Sequence, residues 1–275
     1  MLTPSAVPPG QAAAPVRPSA RPAHVSTILF PLPDRDFDVT EVSVPWRVLT
    51  RAGHIVRFAT QDGSVAACDP RLLSGVLLGQ LGADKEPKAF YAEMIASPEF
   101  LAPWSWNVGV DLDSVDAMWF AGGHARGMRQ YLESLALQAL ARRFWETGRP
   151  VASICHGPLV LARAGLLAGR RTSCLPRYME LTAWSLTAWK LGDYYRTYPE
   201  CVEDEVRRLG GVVETGPFTL IARGTNENDA PAWILEDQQY LSARWPGDSY
   251  LLAKRLAGRL AEGSPVSGAS PSPTR

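Results

Sequence analysis

Short, continuous apolar runs alternate with longer stretches of helical spacing along most of this chain. Residues 25–31 (VSTILFP) form a β-branched run closed by Pro-Leu-Pro-Asp, the pattern of a strand buried on both faces. Val42, Trp46 and Leu49 then share one face at helical spacing within residues 40–51. Pro45 predicts that this helix begins near Ser43 or kinks there, and Ala52-Gly53 supplies its stop. Residues 54–60 (HIVRFAT) read as a second strand and residues 117–121 (AMWFA), running into Gly122-Gly123-His124, as a third. Leu132, Leu135, Leu140 and Phe144 predict one long amphipathic helix ending at Gly148. Residues 151–154 (VASI) meet Cys155-His156-Gly157-Pro158 without a loop, and a helix over 159–167 follows, with Pro158 suited to its first turn. Continuous rather than alternating strands, interleaved with helices, predict an α/β fold of the flavodoxin-like, three-layer kind: a mostly parallel sheet with helices on both faces and a nucleophile elbow.

Two stretches break the repeat, residues 64–110 and the aromatic-rich 175–202, and both read as insertions over an edge or mouth of the sheet. Glu236-Asp237-Gln238-Gln239 reads as a hairpin turn, and Asp248 as the cap of a final amphipathic helix. Residues 1–24 and 263–275 are Pro, Ala, Ser, Gly and Arg, too poor in apolar surface to offset chain ordering, and are read as disordered tails. The 238 residues between them carry no internal Pro/Gly linker, so a single domain is expected.

Composition mostly excludes. With 28 basic and 28 acidic side chains the formal net charge is zero, so the excess of Lys and Arg expected of a nucleic-acid or membrane-surface binder is missing. No apolar run approaches the roughly 20 residues that span a bilayer, and the N-terminus lacks the apolar core of a signal peptide, so a cytoplasmic protein is expected. The four Cys, at 68, 155, 174 and 201, form no CxxC pair and have no His at zinc-ligand spacing, which argues against a disulfide framework or structural zinc.

Ligands of an open parallel sheet bind beyond the carboxyl ends of its strands. Residues 38–41 (DVTE), 122–124 (GGH) and 155–157 (CHG) lie at such ends. A strand running straight into Cys-His-Gly-Pro has the logic of a nucleophile elbow, where a strained turn lifts a side chain above the sheet and a helix N-terminus favours thiolate. On its own, Cys155 also reads as an inert small hydrophobe, and Glu41 as a first-turn helix acid worth about 0.3–1 kcal/mol. His124 either caps its turn or lines a pocket, and the aromatics of 178–198 suit the core of an insertion.

Taken together, Ala152-Ser153-Ile154-Cys155-His156-Gly157, Phe120-Ala121-Gly122-Gly123-His124, Glu41 and the late 241–248 segment (LSARWPGD) resemble the ThiJ/PfpI superfamily, over most of residues 25–262. Within it the likeness is to the larger branch of stress chaperones and glutathione-independent glyoxalases. The resemblance implies a fold similar to type-one glutamine amidotransferase domains. It further implies Cys155 as nucleophile, Glu41 tuning its ionisation, His156 shuttling protons, and an oxyanion hole from Gly122, Gly123 and the His156 amide. The acid that would orient His156 is left open: Asp193, Glu180, or a residue of another subunit. His124 and Asp248 are expected at the pocket. No metal and no cofactor is expected, because only two of the four His lie near the mouth, and a homodimer is implied.

The resemblance implies a cysteine-dependent enzyme acting on small reactive carbonyls such as methylglyoxal, a glyoxalase or deglycase. A PfpI-type cysteine peptidase or amidase, and a non-catalytic stress chaperone or cysteine redox sensor, are the alternatives. A glutaminase domain is weakest, since no synthetase partner domain is attached.

Overall fold

The structure is a computed structural model that describes residues 25–75 and 81–263. Both expected tails therefore lie outside the described residues, apart from Gly263. A seven-stranded sheet runs in the order Ile234–Asp237, Tyr240–Ala243, Val151–Ile154, Ala117–Phe120, Thr27–Pro31, Ile55–Thr60, Trp104–Ser105. Every neighbouring pair is parallel except the first, an antiparallel hairpin. Helices Val39–Arg51, Lys85–Met94 and Ser249–Glu262 pack together, as do Leu135–Trp145, Pro158–Arg163 and Val202–Arg208. The central strands are buried on both faces, which is why they read as unbroken apolar runs. Among the described residues no helix is long and apolar enough to cross a membrane.

Several elements depart from their sequence reading. The first helix does not start at Ser43, and Pro45 lies inside it. It begins at Val39, where the Asp38 carboxylate accepts the N–H groups of Thr40 (2.8 Å) and Glu41 (3.0 Å). Pro45 leaves the carbonyl four residues back, that of Glu41, without its helical donor. The buried Trp119 supplies the missing one, its indole N–H donating to the Glu41 carbonyl at 3.0 Å. A proline inside the helix is thereby tolerated, and Glu41 is fastened to the strand beside the elbow.

The expected long helix is two, Met128–Leu132 and Leu135–Trp145, because the Ser134 hydroxyl caps the second by accepting the Leu137 N–H. The helix after the elbow is shorter than expected, Pro158–Arg163, with proline in its first turn. The hairpin turn is only Gln238-Gln239, Gln238 having a φ of +57°, while Glu236 and Asp237 stay in the strand. Residues 64–110 are not wholly an insertion, since Trp104–Ser105 completes the sheet edge. Residues 175–202 hold the helix Arg177–Leu191 and the loop that follows it.

Candidate active site

Strand Val151–Ile154 delivers Cys155 into a turn with a φ of +61°, a left-handed conformation that a side-chain-bearing residue enters at a cost of order 1–3 kcal/mol. The surroundings hold it there. Cys155 donates its N–H to the Ala243 carbonyl (3.2 Å) and accepts the Leu175 N–H (3.0 Å). Two glycines allow the approach: a Cβ on Gly157 would collide with the Phe120 carbonyl, and one on Gly122 would lie 2.6 Å from the His156 nitrogen. A strained, enclosed cysteine between two obligate glycines is an elbow in geometry as well as in sequence.

Two expected side chains converge on it. His156 Nδ1 lies 3.3 Å from Cys155 Sγ, and Glu41 Oε2 accepts the Gly122 N–H at 2.7 Å. The other Glu41 oxygen, Oε1, is buried without a hydrogen-bond partner, and its carboxyl interacts directly with the thiol. Cys155, His156 and Glu41 are all essentially sequestered from water. That burial decides their protonation. It pushes the Cys155 thiol well above its usual range, and Glu41 adds to the rise, while the His156 amide works the other way. It also raises Glu41 well above the carboxylate range, with Asp38 reinforcing the effect. Asp38 itself is raised to about 6, chiefly by burial. Glu41 therefore does not promote the thiol's ionisation but opposes it, and the six-residue helix beyond the elbow does not outweigh burial. Thiol and carboxyl interact, so they take up and release protons as a pair.

The remaining site expectations fare unevenly. Gly122 cannot present a free amide to an oxyanion, because Glu41 takes it; the His156 amide and Gly123 remain from that set. His124 does line the cavity, with its ring edge-on to His156 (4.9 Å) and against Tyr195 (4.8 Å), and burial lowers its pKa to about 4. Asp193 does not reach His156. It accepts the Trp184 indole N–H at 3.3 Å and lines a second, polar cavity with Asp36, Arg71 and Arg126. Glu180 is equally occupied, accepting the Val202 N–H and facing Arg196. Asp248 neither caps its helix nor lines the cavity. It is fully buried, paired with Arg244 through two contacts of 2.8 Å, and accepts the Trp233 N–H.

Sequence reasoning missed Thr197. Its hydroxyl oxygen lies 3.1 Å from His156 Nε2, where an acid was expected. No motif announces it, since it arrives from a loop within the 175–202 insertion, 41 residues along the chain.

Beside the cluster opens a cavity of about 490 Å³, with Leu175, Met179, Leu186 and Trp245 on its apolar walls. Its floor includes Asp38, Thr40 and His124, each a direct neighbour of Glu41 or His156.

Comparison with known proteins bears on the family and the fold. The ThiJ/PfpI family-like description matches residues 32–207, and the chain belongs to that family. An uncharacterized Schizosaccharomyces pombe protein is 29% identical over 257 residues, covering 90% of this chain and 88% of its own. Deglycase PfpI of Pyrococcus furiosus is 31% identical over 144 residues, 52% of this chain and 69% of its own length. Among solved structures, glyoxalase III of Candida albicans superposes with a TM-score of 0.60 at 15% identity, covering 86% of this chain and 97% of the other, a likeness of fold. Relatives in the family thus include enzymes named for deglycase and glyoxalase activity.

Proposed function

We propose that this chain is a cysteine-dependent enzyme acting on reactive carbonyl compounds of the methylglyoxal type. The observation that carries the proposal is the elbow itself: Cys155 at positive φ, with the His156 Nδ1 at 3.3 Å and a buried carboxyl, Glu41, on its other side. In this reading Sγ bonds to the aldehyde carbon as its proton passes to Nδ1, and that proton returns to the new alkoxide, giving a hemithioacetal with no other bond broken. Moving the proton of that carbon to the neighbouring carbonyl oxygen gives an enediol, and passing the proton of the first hydroxyl to the neighbouring carbon turns the enediol into a thioester. Water then releases the hydroxy acid and restores the thiol. A protonated Glu41 supports each step by facing the sulfur without adding negative charge, and the His156 amide donates to the developing oxyanion in this reading.

The apolar cavity beside the cluster suits an uncharged carbonyl, which needs no electrostatic steering. Burial that keeps the thiol protonated works against the oxidation-sensor alternative, which relies on an exposed thiolate. The test sets methylglyoxal against a chromogenic peptide amide, offered to the purified chain without glutathione. Methylglyoxal should disappear as lactate forms while the amide stays intact. Cleavage of the amide alone would favour the peptidase alternative.

A further inference from the structure

Thr197 lies in the loop between helices Arg177–Leu191 and Val202–Arg208 and is 1% exposed. Its hydroxyl donates to the His124 carbonyl at 2.7 Å, a group that can only accept. Its own carbonyl accepts Arg129 Nε (2.9 Å) and Nη2 (2.5 Å), which pins the loop. With its single proton committed to His124, the hydroxyl can meet His156 Nε2 at 3.1 Å only as an acceptor. Nε2 must therefore carry the imidazole proton. Nδ1 then presents a lone pair to the Cys155 thiol.

We propose that Thr197 is the positioning residue of the Cys155–His156 pair: it fixes the Nε2–H tautomer and, being uncharged, keeps His156 a neutral base that does not persist as imidazolium. The groups facing the ring agree. Cys155 lies on one side with the Glu41 carboxyl beyond it, the His124 ring stands edge-on, and Arg163 of the following helix opposes a second positive charge. Arg129 approaches only through the Thr197 carbonyl. Among the described residues, none of the carboxylates hydrogen-bonds to this imidazole.

The consequence is a restriction on chemistry, and it rests on the reading of Cys155 and His156 as the reacting pair. Cleaving an amide requires an imidazolium to give its proton to the departing amine as the C–N bond breaks. Adding S–H across an aldehyde has no leaving group, so a proton held briefly on Nδ1 and returned to the same adduct suffices. An uncharged partner stabilises that imidazolium less than a carboxylate would, so the site favours addition to aldehydes over the cleavage of amides.

The experiment records the 15N signals of His156 in the full chain and, alongside, the pH profile of Cys155 alkylation by iodoacetamide. The wild type should show a single Nε2–H tautomer between pH ~5 and ~8. An Nδ1–H tautomer, or imidazolium near pH ~6, would overturn the proposal without any variant having to fold. Thr197→Val should mix the tautomers and slow alkylation near pH ~8 by about tenfold, and Thr197→Ser should restore both. A Thr197→Val protein with unchanged signals and alkylation would contradict the proposal. Thr197→Asp should bring an imidazolium signal into the same pH range, and its absence would count equally against it. Undiminished methylglyoxal consumption by Cys155→Ala would instead sink the carbonyl reading and leave the tautomer result standing.

Discussion

Glu41 and Thr197 flank the same cysteine–histidine pair, yet they are held by opposite means. Glu41 stands in the first turn of a helix whose start is written locally: Asp38 caps it, and the residue sits three positions on. Thr197 stands in a loop and is held by distant partners, the His124 carbonyl and the Arg129 guanidinium. A residue placed by a capping rule can be found by reading along the chain. One placed by contacts across the fold cannot, even when it touches the same pair.

The comparison can be broken most forcefully on the side held at long range. The loop around residues 217–233 is tied to the last helix by the fully buried Arg244–Asp248 pair, Arg244 also donating to the Pro217 carbonyl and Asp248 accepting the Trp233 N–H. Asp248→Ala leaves a buried guanidinium unpaired and should cost about 3–5 kcal/mol in chemical denaturation. A loss below about 1 kcal/mol would show that water reaches Arg244 and that this region is looser than its contacts indicate.

On the locally written side, Asp38 gives a smaller effect with a definite sign. Its pKa is raised to about 6 in the folded protein from 3.8, chiefly by burial, so between those values the folded state binds more protons than the unfolded one. Its contribution to stability is thus present in full below about pH 4 and is lost as the pH rises through about 6, by on the order of 3 kcal/mol. Asp38→Asn keeps an acceptor for the two capped N–H groups and should flatten that slope in denaturation curves taken across the window. A slope unchanged in the variant would remove Asp38 as its source.

The smallest effect sharpens the account of Pro45. Trp119→Phe strands the Glu41 carbonyl and should cost about 1 kcal/mol. In a Pro45→Ala background that carbonyl gains a helical donor, so the same substitution should cost less, with a coupling of about 0.5–1 kcal/mol. Strict additivity of the two changes would mean that the indole does not substitute for the proline's missing donor.

These contrasts explain what was readable in the chain. The parallel sheet was legible because strands such as 117–120 and 151–154 are buried on both faces and so uninterrupted by polar residues. Cys155 and His156 stood out because the elbow is contiguous in sequence, whereas Glu41 read on its own as a first-turn helix acid and was singled out only by the family resemblance. Pro45 misled, since the donor that rescues its helix comes from Trp119, 78 residues from the carbonyl it serves. The expected role of Asp248 as cap and pocket residue failed because position ahead of a helix does not reveal that Arg244, one turn earlier, claims the carboxylate. Asp193 was chosen by rough distance along an insertion, where nothing local marks which side chain turns inward; Thr197 turns inward instead.

The central claim is that Cys155 performs the chemistry, and it is tested most directly by methylglyoxal consumption in the wild type beside Cys155→Ala, both shown folded by circular dichroism. The account predicts that the variant falls to the rate of buffer alone while the wild type turns over. Equal consumption by the two proteins would contradict it.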